Sequence, residues 1–160
     1  MTDYQRPTES AYADARNYLE AVRSAVGALR SCTDRFDELD GDYGLLRAVA
    51  YGDGGGGSTE PDARMVAAVT RIDKVRDAVI ASAKRYETLI RSLEESIIRM
   101  ERAGDAAEGD SAVLRYRFAQ ALPYYEVAAK SGYSAEYIRN KVVVAIVHVA
   151  PHIPTDWRSW

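Results

Sequence analysis

Residues 63–103 read ARMVAAVTRIDKVRDAVIASAKRYETLIRSLEESIIRMERA, a run with neither glycine nor proline. Most of its residues are good helix formers, and the apolar ones recur at helical spacing. Met65, Ile72, Val79, Tyr86, Leu93 and Met100 stand seven apart, with Val69, Ala83, Ile90 and Ile97 on the interleaved positions. That alternation is the seam of a long helix packing lengthwise on another. The spacing predicts an unbroken helix over 63–103, about 60 Å long at about 1.5 Å per residue. Arg76, the charged member of the seam, must turn its guanidinium outward or meet a carboxylate. Glu94 lies off the seam and reads as a solvated side chain.

Upstream the pattern repeats. Tyr12, Leu19, Val26 and Thr33 are seven apart, with Ala15, Val22, Leu29 and Phe36 between them. Two apolar stripes can bury each other as an antiparallel hairpin, or can pair between chains, and the pattern admits both. The stretch YGDGGGGSTEP over 51–61 reads as a flexible connector, its glycine-rich part spanning 52–61. Ser58, Thr59, Pro61 and Asp62 supply helix-starting chemistry at its end. Gly52, Gly54 and Gly57 satisfy G-x-G-x-x-G, but helices rather than a β-α-β unit flank them and no lysine follows, so a linker is expected instead of a phosphate loop. Glu38, Asp40 and Asp42 alternate as in a calcium loop, yet Tyr43 takes the glycine position and Val49 that of the last acid, which leaves an acidic helix end.

Gly104 and Gly109 interrupt the second helix, and shorter apolar groupings follow in Val113–Phe118, Pro123–Lys130 and Ser134–Val147. The chain therefore reads as all-α, a long coiled-coil-like antiparallel hairpin over 10–103 followed by a small helix-turn-helix domain over 111–152.

The composition agrees with a globular protein: 160 residues, 47% hydrophobic and 28% charged. The net charge of −3 is unevenly spread, since residues 111–160 hold six Lys/Arg against three Asp/Glu. That excess permits a polyanionic partner without demanding one. Cys32 is the sole cysteine, and no basic-then-apolar leader opens the sequence, so a cytoplasmic protein is expected. Val142–Val147 is far too short to span a bilayer, and no membrane partner is expected.

In the last third, Pro123 can start a helix, Val127 and Ala128 give it an inward face, Gly132 marks a turn and Ser134 can cap the next helix. Glu136 favours that helix's N-terminus, while Ile138 and Val142 point to the core. This is helix-turn-helix spacing, in which the second helix offers its first turns to the DNA major groove.

Val113-Leu-Arg-Tyr-Arg-Phe118, then Tyr124 through Ser134 with its Gly-Tyr-Ser turn, and Ile138 together resemble region four of bacterial sigma factors. With the hairpin and glycine-rich middle included, residues 12–150 resemble a family of small phage- and prophage-borne regulators with a sigma-like C-terminal domain. The resemblance implies a DNA-binding transcription regulator, with Pro123–Lys130 as supporting helix and Ser134–Ile146 as recognition helix. Double-stranded DNA is then the partner, with RNA polymerase a further one, and the small positive charge points to a homo-oligomer. It places Ser134, Ala135, Glu136, Arg139 and Asn140 toward bases, and Arg115, Arg117, Lys130 and Lys141 near phosphates. Ser131 and Lys141 stand where the family pattern is apolar, Ala121 replaces a turn glycine, and the recognition helix continues into an apolar run that must be packed or covered.

No serine, cysteine or carboxylate pair has a catalytic partner pattern, so the sequence argues against an enzyme and for no cofactor. His148 and His152 are four apart, but Pro151 interrupts that helix, and no metal site is expected. Tyr116, Tyr124, Tyr125, Tyr133 and Tyr137 read mainly as core. The alternative to DNA binding is a coiled-coil interaction module whose helix-turn-helix serves dimerisation or partner binding.

Overall fold

The computed structural model describes residues 8–51 and 63–160. The connector, with the phosphate-loop and capping readings placed on it, lies outside the described residues. The protein is all-α, and among the described residues there is no strand. Helix α1 spans Glu9–Tyr51 and α2 spans Ala63–Ala103. The second runs through Arg76 without a break, as the absence of glycine and proline requires. Then follow α3 (Asp110–Leu114), a π-type turn over Arg115–Ala119, α4 (Tyr124–Ser131), α5 (Ala135–Val149) and short 3₁₀ turns at Ala150–His152 and Trp157–Ser159. Among the described residues no helix is long and apolar enough to cross a membrane.

Contacts divide the chain across the long helices rather than at the glycine break of 104–111. One unit joins residues up to Gly27 with Arg85–Trp160, and the other comprises Ala28–Lys84. In both, α1 and α2 pack against each other as an antiparallel pair.

In the first unit a single cluster contains Ala15, Tyr18, Leu19 and Val22 of α1, Leu93, Ile97 and Met100 of α2, and Val113, Leu114, Phe118, Val127, Ile138, Val142, Ile146 and Val149 from the later elements. Two buried serines let the long helices approach closely. The Tyr18 hydroxyl donates to Ser92 Oγ at 2.6 Å, because the proton of Ser92 is given to the Leu89 carbonyl, also at 2.6 Å. Burial of that phenol raises its pKa above the usual value. Trp157 meets Tyr18 edge-on, with ring centroids 5.7 Å apart, and Arg158 pairs with Asp14, which ties the C-terminal turn to α1.

The second unit is a two-helix arrangement with a thinner interior. Its seam residues Leu29, Phe36, Met65, Val69, Ile72 and Val79 are half-buried, and Leu39 alone among its described apolar residues is fully buried. Of the two alternatives read from the sequence Arg76 takes the carboxylate: its guanidinium reaches Asp40 at 3.6 Å, and it lies over Phe36 at 5.0 Å and Tyr43 at 5.6 Å.

The seam of α1 differs from the one first read. Thr33 is exposed, while Tyr18, Ala25, Cys32 and Leu39, also seven apart, turn inward. The unbroken 3-4 alternation is Ala15, Tyr18, Val22, Ala25, Leu29, Cys32, Phe36, Leu39 and Tyr43. Leu19 and Val26 are buried as well, in the unit where α1 is covered by more than α2. Glu38, Asp40 and Asp42 lie within the continuous α1 helix, which rules out the turn a calcium loop needs.

Candidate nucleic-acid interface

A buried carboxylate ties α3 to α5. Asp110 opens α3 and has no exposed surface. One of its oxygens accepts from the Ala107 amide at 2.8 Å and from His148 Nδ1 at 2.5 Å, and the other pairs with Lys141 Nζ at 2.7 Å. Lys141 and His148 are two turns apart on α5 and so share a face. A lysine at a core position of α5 is thus matched by an acid on α3. This also accounts for the polar residue at 141, where the resemblance leads one to expect an apolar one.

The lead-in to α4 is a tight reversal. Gln120 N–H donates to the Arg115 carbonyl at 2.9 Å and Leu122 N–H to the Tyr116 carbonyl at 3.0 Å, with Ala121 between them at φ 55°. Such a left-handed residue is normally glycine, because a Cβ there crowds the backbone. Pro123 in extended conformation then sets off α4. Gly132, at φ 73°, ends it and donates to the Ala128 carbonyl at 2.9 Å. Ser134 caps α5 as its sequence suggests, accepting from Tyr137 N–H at 3.1 Å. Val127 and Ala128 of α4 face Ile138 and Val142 of α5 in the common core. Two short helices joined by this turn form a helix-turn-helix.

The candidate contact residues divide into two groups. Ser134, Glu136, Arg139 and Asn140 are exposed on the first turns of α5, Ala135 is half-buried beside them, and Lys130 is exposed at the end of α4. The remaining cations are engaged by groups of the protein itself. Arg115 grips Glu94 with Nε and Nη2 at 2.6–3.2 Å and lies 3.7 Å from Glu101. These bonds hold the Glu94 carboxyl below its usual pKa and the guanidinium above its own. Glu94 is therefore an anchoring residue, not the idle solvated one its off-seam position suggested. Arg117 is only 7% exposed: its Nη1 donates to the Leu122 carbonyl at 3.0 Å, and its guanidinium lies 3.9 Å over the Tyr124 ring. Lys141 is committed to Asp110. Arg115, Arg117 and Lys141 thus support the domain from within, and Lys130 and Arg139 are left as its outward cations on the helix-turn-helix itself.

The tyrosines read mainly as core also divide. Tyr116 and Tyr124 are half-buried, whereas Tyr125, Tyr133 and Tyr137 are 69%, 57% and 46% exposed. Tyr133 and Tyr137 stack with centroids 4.4 Å apart, and with Tyr116 they line a cavity of about 260 Å³. Tyr124 escaped the list of contact residues although both Arg117 and Arg139 meet its ring, the latter at 5.5 Å. Its position at the start of α4, one helix away from Arg139, carries no local sequence signal.

The apolar continuation of α5 is mostly packed. Val142, Ala145, Ile146 and Val149 are buried, and Val143 and Val144 remain exposed. The histidines go to separate acids, His148 to Asp110 and His152 Nε2 to Asp105 at 2.7 Å. Arg99 holds the His152 carbonyl at 2.8 Å. Among the described residues no three histidine, cysteine or acidic side chains converge as metal ligands would. Comparison of the chain with family models, with curated proteins and with solved structures yields no match.

Proposed function

We propose that the protein is a DNA-binding transcription regulator of phage or prophage type that lays the N-terminal half of α5 in the major groove. The observation that carries this reading is the division of α5 between two faces. Ile138 and Val142 are buried, while Glu136, Arg139 and Asn140 are exposed beyond a capped first turn. These are groups that read base edges: Arg pairs bidentately with guanine, Asn with adenine, and Glu accepts from cytosine. Lys130 stands at the end of the supporting helix as a phosphate contact.

The engagement of Arg115, Arg117 and Lys141 with groups of the protein itself has a quantitative consequence. Each phosphate neutralised adds about 0.9 to the salt slope of duplex binding. With Lys130 as the outward phosphate contact of the motif and Arg139 turned to a base, one copy is expected to show a slope of about 1, and to bind weakly at physiological salt. A second copy or RNA polymerase would then supply the missing contacts. Selection of bound DNA from a random pool at two salt concentrations tests this. Arg139→Ala should relax base preference at one position at a cost of about 1–3 kcal/mol, whereas Lys130→Ala should weaken all sequences alike and lower the slope by about 1. No DNA binding at low salt, alone or with polymerase, would overturn the reading.

A second reading, an interaction module that uses this motif for dimerisation or partner binding, is favoured by the exposure of Val143 and Val144. Self-association abolished by Val143→Ser, in protein that binds no DNA, would establish it instead.

A further inference from the structure

The buried guanidinium of Arg117 supports the reversal before α4, and its second contact reaches toward the exposed face of the motif. Among the described residues no carboxylate pairs with it, and its Nε is buried without a hydrogen-bond partner. A buried cation without a counter-ion is costly to keep. What Arg117 does have is the Leu122 carbonyl at 3.0 Å and the face of Tyr124 at 3.9 Å. A desolvated cation–π contact is stronger than an exposed one, so this pairing fixes the Tyr124 ring at the start of α4.

Tyr124 is at the same time the aromatic neighbour of Arg139, whose guanidinium lies 5.5 Å from the ring centroid. Arg139 is exposed, and a long arginine side chain on a helix surface samples many rotamers, each of which must be given up before two hydrogen bonds can form to one base. A ring held fixed from the domain side narrows that sampling before DNA arrives. Binding is strengthened when such ordering is already present in the free protein.

We propose that Tyr124, locked by Arg117, is a positioning residue that preorients Arg139 for base reading, so that part of the sequence selectivity resides in a ring that contacts no base. This rests on the DNA-binding reading above. It explains together two otherwise unconnected features, a buried arginine without a counter-ion and a half-buried tyrosine shared by two guanidinium groups.

The test uses the full chain with Tyr124→Phe, Tyr124→Leu, Arg139→Ala and the double variant Tyr124→Leu/Arg139→Ala, each confirmed as folded by helical circular dichroism. In the free protein, the Arg139 side-chain NMR signals should show a ring-current shift in wild type and Tyr124→Phe, and lose it in Tyr124→Leu. In random-pool selection, Tyr124→Leu should relax base preference about tenfold, at the same position that Arg139→Ala affects. The double variant should be no worse than Arg139→Ala, and Tyr124→Phe should match wild type. If Tyr124→Leu keeps the wild-type base preference, or weakens every sequence equally, the positioning role is overturned while the DNA reading stands. If wild type has no base preference at all, the DNA reading fails and this inference with it.

Discussion

The same seven-residue repeat runs along both ends of the paired helices, yet it buries different amounts of side chain in the two units. Leu93, Ile97 and Met100 have no exposed surface, whereas Met65, Ile72 and Val79, at equivalent positions of the same helix, are half-buried. In the first unit, elements from α3 onward join the cluster and close over the helices, and among the described residues of the second the two helices have only each other. Periodicity therefore specifies which face turns inward, and the depth of burial depends on what else folds onto that face. The polar contacts follow the same division. Asp110 is fully enclosed with Lys141 and His148, while Arg76 reaches Asp40 at the surface of the second unit.

Substitution at matched seam positions would break or confirm this contrast most directly. Leu93→Ala should cost about 2–5 kcal/mol, as for a fully packed leucine, while Ile72→Ala should cost about 1 kcal/mol because much of that side chain is already wet. Equal losses in chemical denaturation would mean that the second unit is as well covered as the first. Next in size, Asp110→Asn should destabilise by about 3 kcal/mol or more, since it strands a buried lysine. The pair Asp110→Leu/Lys141→Met should recover most of that loss, which separates the cost of an orphaned charge from the worth of the pair.

Surface ion pairs should separate the units more gently. Glu94 and Arg115 are bonded through three contacts but partly exposed, so Glu94→Ala should cost below about 1 kcal/mol, and Asp40→Ala, which breaks one long contact, almost nothing. The Glu94 carboxyl titrates below its usual 4.5 in the fold, so its contribution is complete above that pH and is lost as pH falls through the lowered value. Denaturation of wild type and Glu94→Ala should therefore differ at pH 6 and converge in acid. Smallest of all, Ala121→Gly should raise stability by about 0.5 kcal/mol, the relief of a left-handed alanine less the added freedom of glycine in the unfolded chain.

Local features were legible in the sequence to the extent that their causes are local. The span of α2 and the Ser134 cap both follow from residues within a few turns of one another. The seam of α1 was misread at Thr33 because two apolar columns, one through Leu19 and Val26 and one through Tyr18 and Ala25, compete within its first half. Both are buried there, and Cys32 and Leu39 continue the second column alone. Asp110 carries no local signal of its role, since its partners lie 31 and 38 residues away. The one clue was a lysine at a core position of α5, which announces a carboxylate without saying where. Arg115 and Arg117 looked like phosphate contacts for a related reason, because sequence shows a charge but not whether a fold consumes it.

The Asp110 cluster also bears on how this molecule can be cut. A fragment that starts at Ser111, the natural choice when the glycine break is taken as a seam between modules, would keep Lys141 and His148 and discard the acid that both of them contact. Its α5 would retain an inward lysine with nothing to answer it, and would relieve the strain by repacking or by recruiting an acidic group from elsewhere. The helix-turn-helix is therefore not a cassette that can be lifted out at its visible boundary. Its electrostatic border lies one residue upstream of its apparent covalent one.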